Sequence, residues 1–400
     1  MTYTDTDIKA AMQAYDAVKV KHLNLTTAMN ELSTLECPSF KNRVVLLVGP
    51  TGVGKSALVE IFVSELLARH RQEMLEDPSF IPVIKLTVPS PIYGDFDWKD
   101  AFSRILAEYN EVLIRRKVLQ APAIELDGEV FTSKRGLVKS ELRRCIKNCI
   151  QHRRTKLLIM DEASHLLITR SRSTFLQQFE LLKSLCEDFG VTLLLSGAYD
   201  LLAIQQFNGQ LIRRTKIIHF ARYTHQDFEN PDSPAGQTFE DAVYTLLDLM
   251  PIQKPEELYE QFDYFYINSL GTIGLLKQWL LRAYERALRE GSPILTQKIL
   301  DQERMSNKEL ATIEKENQLG ESRLVDIKPV DLAKIIGLTD LPVPAKKSIR
   351  NNDRNGNEES PPTRSLPNRS SRVGTRGPAR DVAGERCSLD LRAIDCFLWR

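Results

Sequence analysis

The chain has 400 residues, 42% of them hydrophobic and 27% charged, with 54 Lys and Arg against 53 Asp and Glu. These are the proportions of an ordinary soluble globular protein, with length for two or three domains. Six cysteines without a Cys-x-x-Cys pair or zinc-spaced Cys/His cluster, and no run of roughly 18 apolar residues, exclude a zinc module and a spanning helix and read as a reduced, cytosolic chain without a membrane partner.

Residues 1 to 37 read as helical, with Ile8, Met12, Tyr15, Val18, Leu25 and Met29 at helical spacing. Five short apolar runs follow: "RVVLLV" (43–48), "IPVIKLTV" (81–88), "KLLIM" (156–160), "VTLLLS" (191–196) and "KIIHF" (216–220). Continuous apolar runs separated by helical patterns predict strands buried on both faces of a parallel sheet, an α/β core. From Thr238 to about Asn317 no strand run recurs, and "FEDAVYTLLDLM" and "GLLKQWLLRAYERALREG" read as helices of a separate subdomain. The polar, Pro-, Ser- and Arg-rich stretch from Pro342 reads as disordered.

Between the first strand and the next helix stands Gly49-Pro50-Thr51-Gly52-Val53-Gly54-Lys55-Ser56-Ala57, a full phosphate-loop pattern. Its backbone N–H groups curl around phosphates, Lys55 reaches the β and γ oxygens, and Ser56 ligates Mg2+. The helix that follows points its positive end at the same anion. The third run ends in Asp161-Glu162. Asp161 is expected on the magnesium side, and Glu162 is placed to polarise an attacking water. His165 reads as an ordinary residue of the next segment. Ser196, at the tip of the fourth run, is a candidate to sense the γ-phosphate or orient the water, with a strand-end turn residue as the alternative. Arg213 and Arg214 close a helix before the fifth run, where one of them would act on a neighbouring subunit's nucleotide. Lys277 falls where a lid helix touches phosphates.

Charge is unevenly spread. From Lys99 to Lys156 there are 14 Lys/Arg against 7 Asp/Glu, and from Pro344 to Arg380 there are 9 against 3. Both stretches are candidates for a polyanion contact that is salt-dependent and blind to base sequence.

Phosphate loop, Asp-Glu box, polar fourth-strand tip, arginine before the fifth strand and helical lid, in that order over residues 38 to 300, resemble the AAA+ ATPases. "GDFDWKDAFSRILAEYNE" (94–111), "RRTKIIHFARY" and "GTIGLLKQW" are similar to the TniB/TnsC branch of transposition regulators. The resemblance implies an AAA+ P-loop core (38–228) on a five-stranded parallel sheet, preceded by the N-terminal helical segment (1–37). A helical lid (229–317), a short helical extension (318–343) and a disordered basic tail (344–400) would follow. It further implies ATP and Mg2+ as ligands, a ring or filament of copies on duplex DNA, and links to a TniQ-like selector and a transposase. Similar proteins contact DNA with lysine and threonine in the basic stretch, which marks Lys99, Arg104, Thr132, Lys134 and Arg135. A replication-initiator or helicase-loader ATPase is the alternative. It is expected to carry a winged-helix or helix-turn-helix domain, for which residues 318–341 are too short.

Overall fold

All five apolar runs become strands: the three central ones, Val44–Val48, Leu157–Asp161 and Thr192–Gly197, are buried on both faces, where continuous apolar side chains are required, and the two edge strands, Val83–Thr87 and Thr215–His219, are only partly covered. The computed structural model describes residues 4–37, 43–91, 94–111, 124–126, 129–131, 134–168, 172–206, 215–229 and 233–337. The expected basic tail at 344–400 therefore lies outside the described residues.

Helices α1 (Asp5–Ala17) and α2 (Leu23–Ser33) precede β1 (Val44–Val48), α3 (Lys55–Arg69) and α4 (Arg71–Glu76). Strand β2 (Val83–Thr87) and α5 (Trp98–Glu108) lead to a hairpin, β3 (Ile124–Leu126) with β4 (Glu129–Phe131), and to α6 (Lys134–His152). Next come β5 (Leu157–Asp161), α7 (Arg172–Phe189), β6 (Thr192–Gly197) and β7 (Thr215–His219). The hairpin was not expected from apolar runs. Its signal in the sequence is the Asp127-Gly128 dipeptide between two short β-prone segments, a strong hairpin marker.

The main sheet runs β2-β5-β6-β1-β7, with every pairing parallel. Strand β6 is thus inserted between β1 and β5, with Leu47 opposite Ser196 and Met160 opposite Leu195. The consequence is positional. The tip of β6 emerges between the loop after β1 and the acids after β5.

Alternation along β1 divides two cores. Val44, Leu46 and Val48 join Trp98, Phe102, Leu142 and Leu185 under α5, α6 and α7, while Val45 and Leu47 join Leu32, Leu58 and Phe62 under α2 and α3. Each such fully buried side chain contributes roughly 1.5–3 kcal/mol relative to exposure.

Helices α8 (Pro234–Asp248), α9 (Glu256–Tyr259), α10 (Phe262–Ser269), α11 (Ile273–Arg289) and α12 (Gln297–Glu303) build a third core around Phe239, Leu246, Trp279, Leu280 and Tyr284. This is the lid. Ile8 and Tyr15 of α1 join that core, so the N-terminal segment divides, α1 to the lid and α2 to the sheet. Helix α13 (Asn307–Ser322) runs across the expected boundary at 317 and turns back to the sheet. A Cβ on its Gly320 would stand 2.2 Å from the Tyr199 ring. Arg222, just past β7, donates through Nε to Glu321 Oε1 (2.7 Å) and through Nη2 to Glu314 Oε1 (3.0 Å), both on α13. Residues from Asp326 belong to a separate unit, whose described part is the short helix α14 (Pro329–Ile335).

Candidate nucleotide site

The loop between β1 and α3 needs glycine for two reasons. Gly52 and Gly54 have φ of 80° and 104°, and Gly54 caps α3 from that left-handed conformation. Elsewhere backbone must approach closely: a Cβ on Gly274, in the first turn of α11, would stand 2.0 Å from the Gly52 carbonyl oxygen. The lid therefore rests directly on the loop. Thr51 and Ser56 are exposed at the loop and the first turn of α3, Val53 is buried beneath, and Ala57 follows. On the other flank the loop abuts the exit of β7, where the Phe220 carbonyl oxygen is 2.4 Å from a Cβ built on Gly49.

Lys55 Nζ donates to the carbonyls of Gly49 (3.0 Å) and Pro50 (2.8 Å). Burial pushes its pKa down to about 8, opposed by the negative charges of Glu162, Asp161 and Asp200. Those three acids therefore share the field of one lysine, although they come from two strand ends. Asp200 was missed in the sequence, since an acid just past a strand tip carries no motif. It accepts from Ser164 Oγ at 2.7 Å, and Ser164 Oγ in turn accepts from the Ala198 N–H at 3.2 Å. That pair of bonds fastens the turn after β5 to the turn after β6.

Asp161 is 4% exposed at the end of β5, and its Oδ1 accepts from the Glu162 N–H at 3.1 Å. Glu162 is exposed, with φ of 56°, a left-handed conformation that is uncommon for a side chain other than glycine, asparagine or aspartate. Such strain is retained where the surroundings hold the residue in place, and here the residue's charge acts on Lys55. Ser196 is fully buried, and its hydroxyl finds no hydrogen-bond partner. His165 bridges instead of facing the loop. Its Nδ1 donates to the Val88 carbonyl (2.9 Å), and its Nε2 lies 3.1 Å from Ser90 Oγ.

The oxygen donors fit a magnesium–triphosphate. Ser56, in the first turn of α3, and Asp161, at the end of β5, are the residues that would hold the ion, and α3 would add its positive end. Bound there, the ion would neutralise phosphate charge as it develops, with Lys55 on the β and γ oxygens and Glu162 holding the attacking water.

The remaining candidates fall elsewhere. Lys277 takes partners other than phosphates: its Nζ donates to the Val18 carbonyl at 3.0 Å and to that of Asp16, and lies 3.3 Å from Asp16 Oδ1. The C-terminal end of α1 attracts the cation through its unpaired carbonyls. Lys99 and Arg104 are exposed on α5, and Arg104 is paired with Asp100 at 2.8 Å. Lys134 and Arg135 open α6, but their side chains, like Thr132, Arg213 and Arg214, lie outside the described residues. Of the other cations in the basic stretch, Arg144 pairs with Glu141 and Arg154 with Asp77. Among the described residues no cluster of His, Cys, Asp or Glu could hold a metal by itself, and no helix is long and apolar enough to cross a membrane.

Residues 39–205 match the family model described as an AAA domain. With the five-stranded parallel sheet and the phosphate loop, the core has the AAA P-loop NTPase fold. Among solved structures, a Walker-type ATPase of Pyrococcus abyssi is similar at 16% identity and a TM-score of 0.43, over 74% of this chain and 75% of that one. Cdc6p of Pyrobaculum aerophilum is similar at 12% identity and a TM-score of 0.46, over 72% and 68%. A RuvB variant of Thermotoga maritima is similar at 16% and 0.34, over 65% and 60%. No curated protein matches the sequence.

Proposed function

We propose that this chain is an ATP-hydrolysing regulator of DNA transposition. With ATP and Mg2+ bound it assembles with copies of itself on duplex DNA and links a TniQ-like target selector to a transposase. Hydrolysis then dismantles the assembly. The observation that carries this reading is the seat of α11 on the phosphate loop, with Gly274 against Gly52. The segment involved, "GTIGLLKQW", is one of those that resemble the TniB/TnsC branch. A lid in direct contact with the loop makes the outer shape of the subunit depend on what the loop holds, and a nucleotide-timed assembly needs that dependence. Lys55, Ser56 and Asp161 bind the magnesium nucleotide in this reading, Glu162 holds the water, Ser196 supports that end of the site, and Arg213 or Arg214 acts on a neighbour's phosphates. Lys99, Thr132, Lys134 and Arg135 meet the DNA backbone, with Arg104 released from Asp100 to do so.

Electron microscopy with plasmid DNA and ATP tests this directly. Glu162→Gln is expected to leave persistent filaments or rings on the DNA, and Lys55→Ala none. Lys134→Glu with Arg135→Glu is expected to bind nucleotide but not be retained on DNA. A Glu162→Gln protein that remains monomeric with DNA and ATP overturns the assembly reading. Reading frames for a transposase and a TniQ-like protein beside this one are expected; other neighbours would detach the assembly from transposition.

A further inference from the structure

A cavity of about 510 Å3 lies between α5, α6 and α7, lined by residues that the nucleotide chemistry does not use. Its aromatic part is built by Phe96, Trp98 and Phe102, with Phe96 edge-on to Trp98 at 5.1 Å and Trp98 tilted against Phe102 at 5.4 Å. Leu181 adds an aliphatic wall. Two of the residues that line this cavity carry a buried polar atom with no partner among the described residues. Trp98 and Gln178 are each 5% exposed, and neither Trp98 Nε1 nor Gln178 Oε1 has a hydrogen-bond partner. Trp279, in the lid, shows the ordinary outcome: its Nε1 donates to the Leu300 carbonyl at 2.9 Å. Buried indole N–H and amide oxygen groups are normally satisfied, so two orphans of opposite character in one cavity need an explanation.

We infer that this cavity docks a short acidic–apolar segment of a partner polypeptide. A peptide unit carries one acceptor and one donor, the complement of one Trp98 N–H and one Gln178 oxygen. A bulky apolar side chain beside that unit fills the space against Phe96, Phe102 and Leu181. The acidic part follows from the cations of α6. Lys139 is exposed and has no partner among the described residues, whereas Arg143 is already held by Ser184 Oγ (3.0 Å) and by Asp188. Lys139 is thus the charge left for a carboxylate of the incoming segment. The cavity is of the size that ligand pockets usually have, and far larger than a single water needs. The inference does not depend on the nucleotide reading, because the cavity is walled by other elements.

The chain has only 3 tryptophans, so tryptophan-labelled protein gives few indole N–H resonances, and Trp98→Phe assigns the relevant one. The full chain is titrated with the blocked dipeptide acetyl-Leu-Asp-amide to millimolar concentration. The Trp98 indole resonance is expected to move downfield and saturate while that of Trp279 stays in place. Gln178→Leu and Lys139→Glu should each weaken the dipeptide about tenfold, the effect of one lost polar contact. Unchanged nucleotide affinity in both variants shows that the fold is intact. A Trp98 resonance that does not move, or that moves only with a short DNA duplex, overturns the proposal.

Discussion

Lys55 is held by two backbone carbonyls of its own loop, and burial lowers its pKa to about 8 despite three nearby acids. Below that pH the ammonium is present whether or not phosphates are bound. Above it the empty site loses the proton first, and a triphosphate, which favours the charged form, must bring the proton back. ATP affinity is therefore expected to be flat below about pH 8 and to fall about tenfold per pH unit above it, until the pKa of the bound state is reached. Calorimetry in buffers of different ionisation enthalpy should show proton uptake on ATP binding at about pH 9 and little at about pH 6.5. At this scale the places of the loop, between β1 and α3, and of Asp161-Glu162, at the end of β5, were legible, because an apolar run marks each strand and the glycines or acids mark where it stops. Lys277 was not. Its expected role rested on its position in a helix, but its partners are carbonyls 259 residues or more away in sequence.

Helix α2 is capped by a residue seldom used for the purpose. His22 accepts the Leu25 N–H at its Nδ1 (3.4 Å), which also lies 3.1 Å from the Tyr223 hydroxyl, and its ring stacks on Phe220 at 5.9 Å. Only the neutral ring can accept at that nitrogen. Burial pushes the pKa down to about 4, from an ordinary value of 6.5. A depressed histidine contributes fully above the unfolded value and loses its contribution as pH falls toward the folded one. Stability should accordingly decline by about 3 kcal/mol between pH 6.5 and pH 4 from this residue alone. Urea unfolding of the protein and of His22→Gln, which keeps an accepting oxygen without titrating, checks it. The variant should lose most of that part of the slope. The core strands and lid helices were legible as apolar runs, since burial on two faces or one stripe leaves a direct trace. The hairpin was not read because its strands are only three residues each, too short to show alternation. Nor was the division of the N-terminal helices, because periodicity shows which face of a helix is apolar and not what covers it.

The lid is tied to the sheet by one buried cation. Arg222 is 8% exposed and is held by Glu314 and Glu321, with a further bond to the Leu270 carbonyl at 3.3 Å. Burial would favour the neutral form, but the hydrogen bonds that the guanidinium donates to both carboxylates outweigh it and raise the pKa. Arg222→Ala should destabilise the chain by about 2–3 kcal/mol, less than for a fully buried pair because both carboxylates are partly exposed. Adding Glu314→Gln and Glu321→Gln to that variant should recover part of the loss, since two like charges no longer face an empty site. Chemical denaturation of the three proteins decides it, and equal stability for all three would show that the tie contributes nothing. No sequence pattern announces this arrangement, because its members are 92 and 99 residues apart.

One close approach has a mechanical consequence. With no room for even a methyl group between Gly274 and the Gly52 carbonyl, loop and lid behave as two ends of one lever. Any change of loop shape on receiving phosphates must travel along the 17 residues of α11. That helix ends inside the lid core, where Ala283, Tyr284, Ala287 and Leu288 are buried, so the change is passed to the lid as a whole. A displacement too small to matter at the phosphates can thus become a change in the surface that another molecule meets.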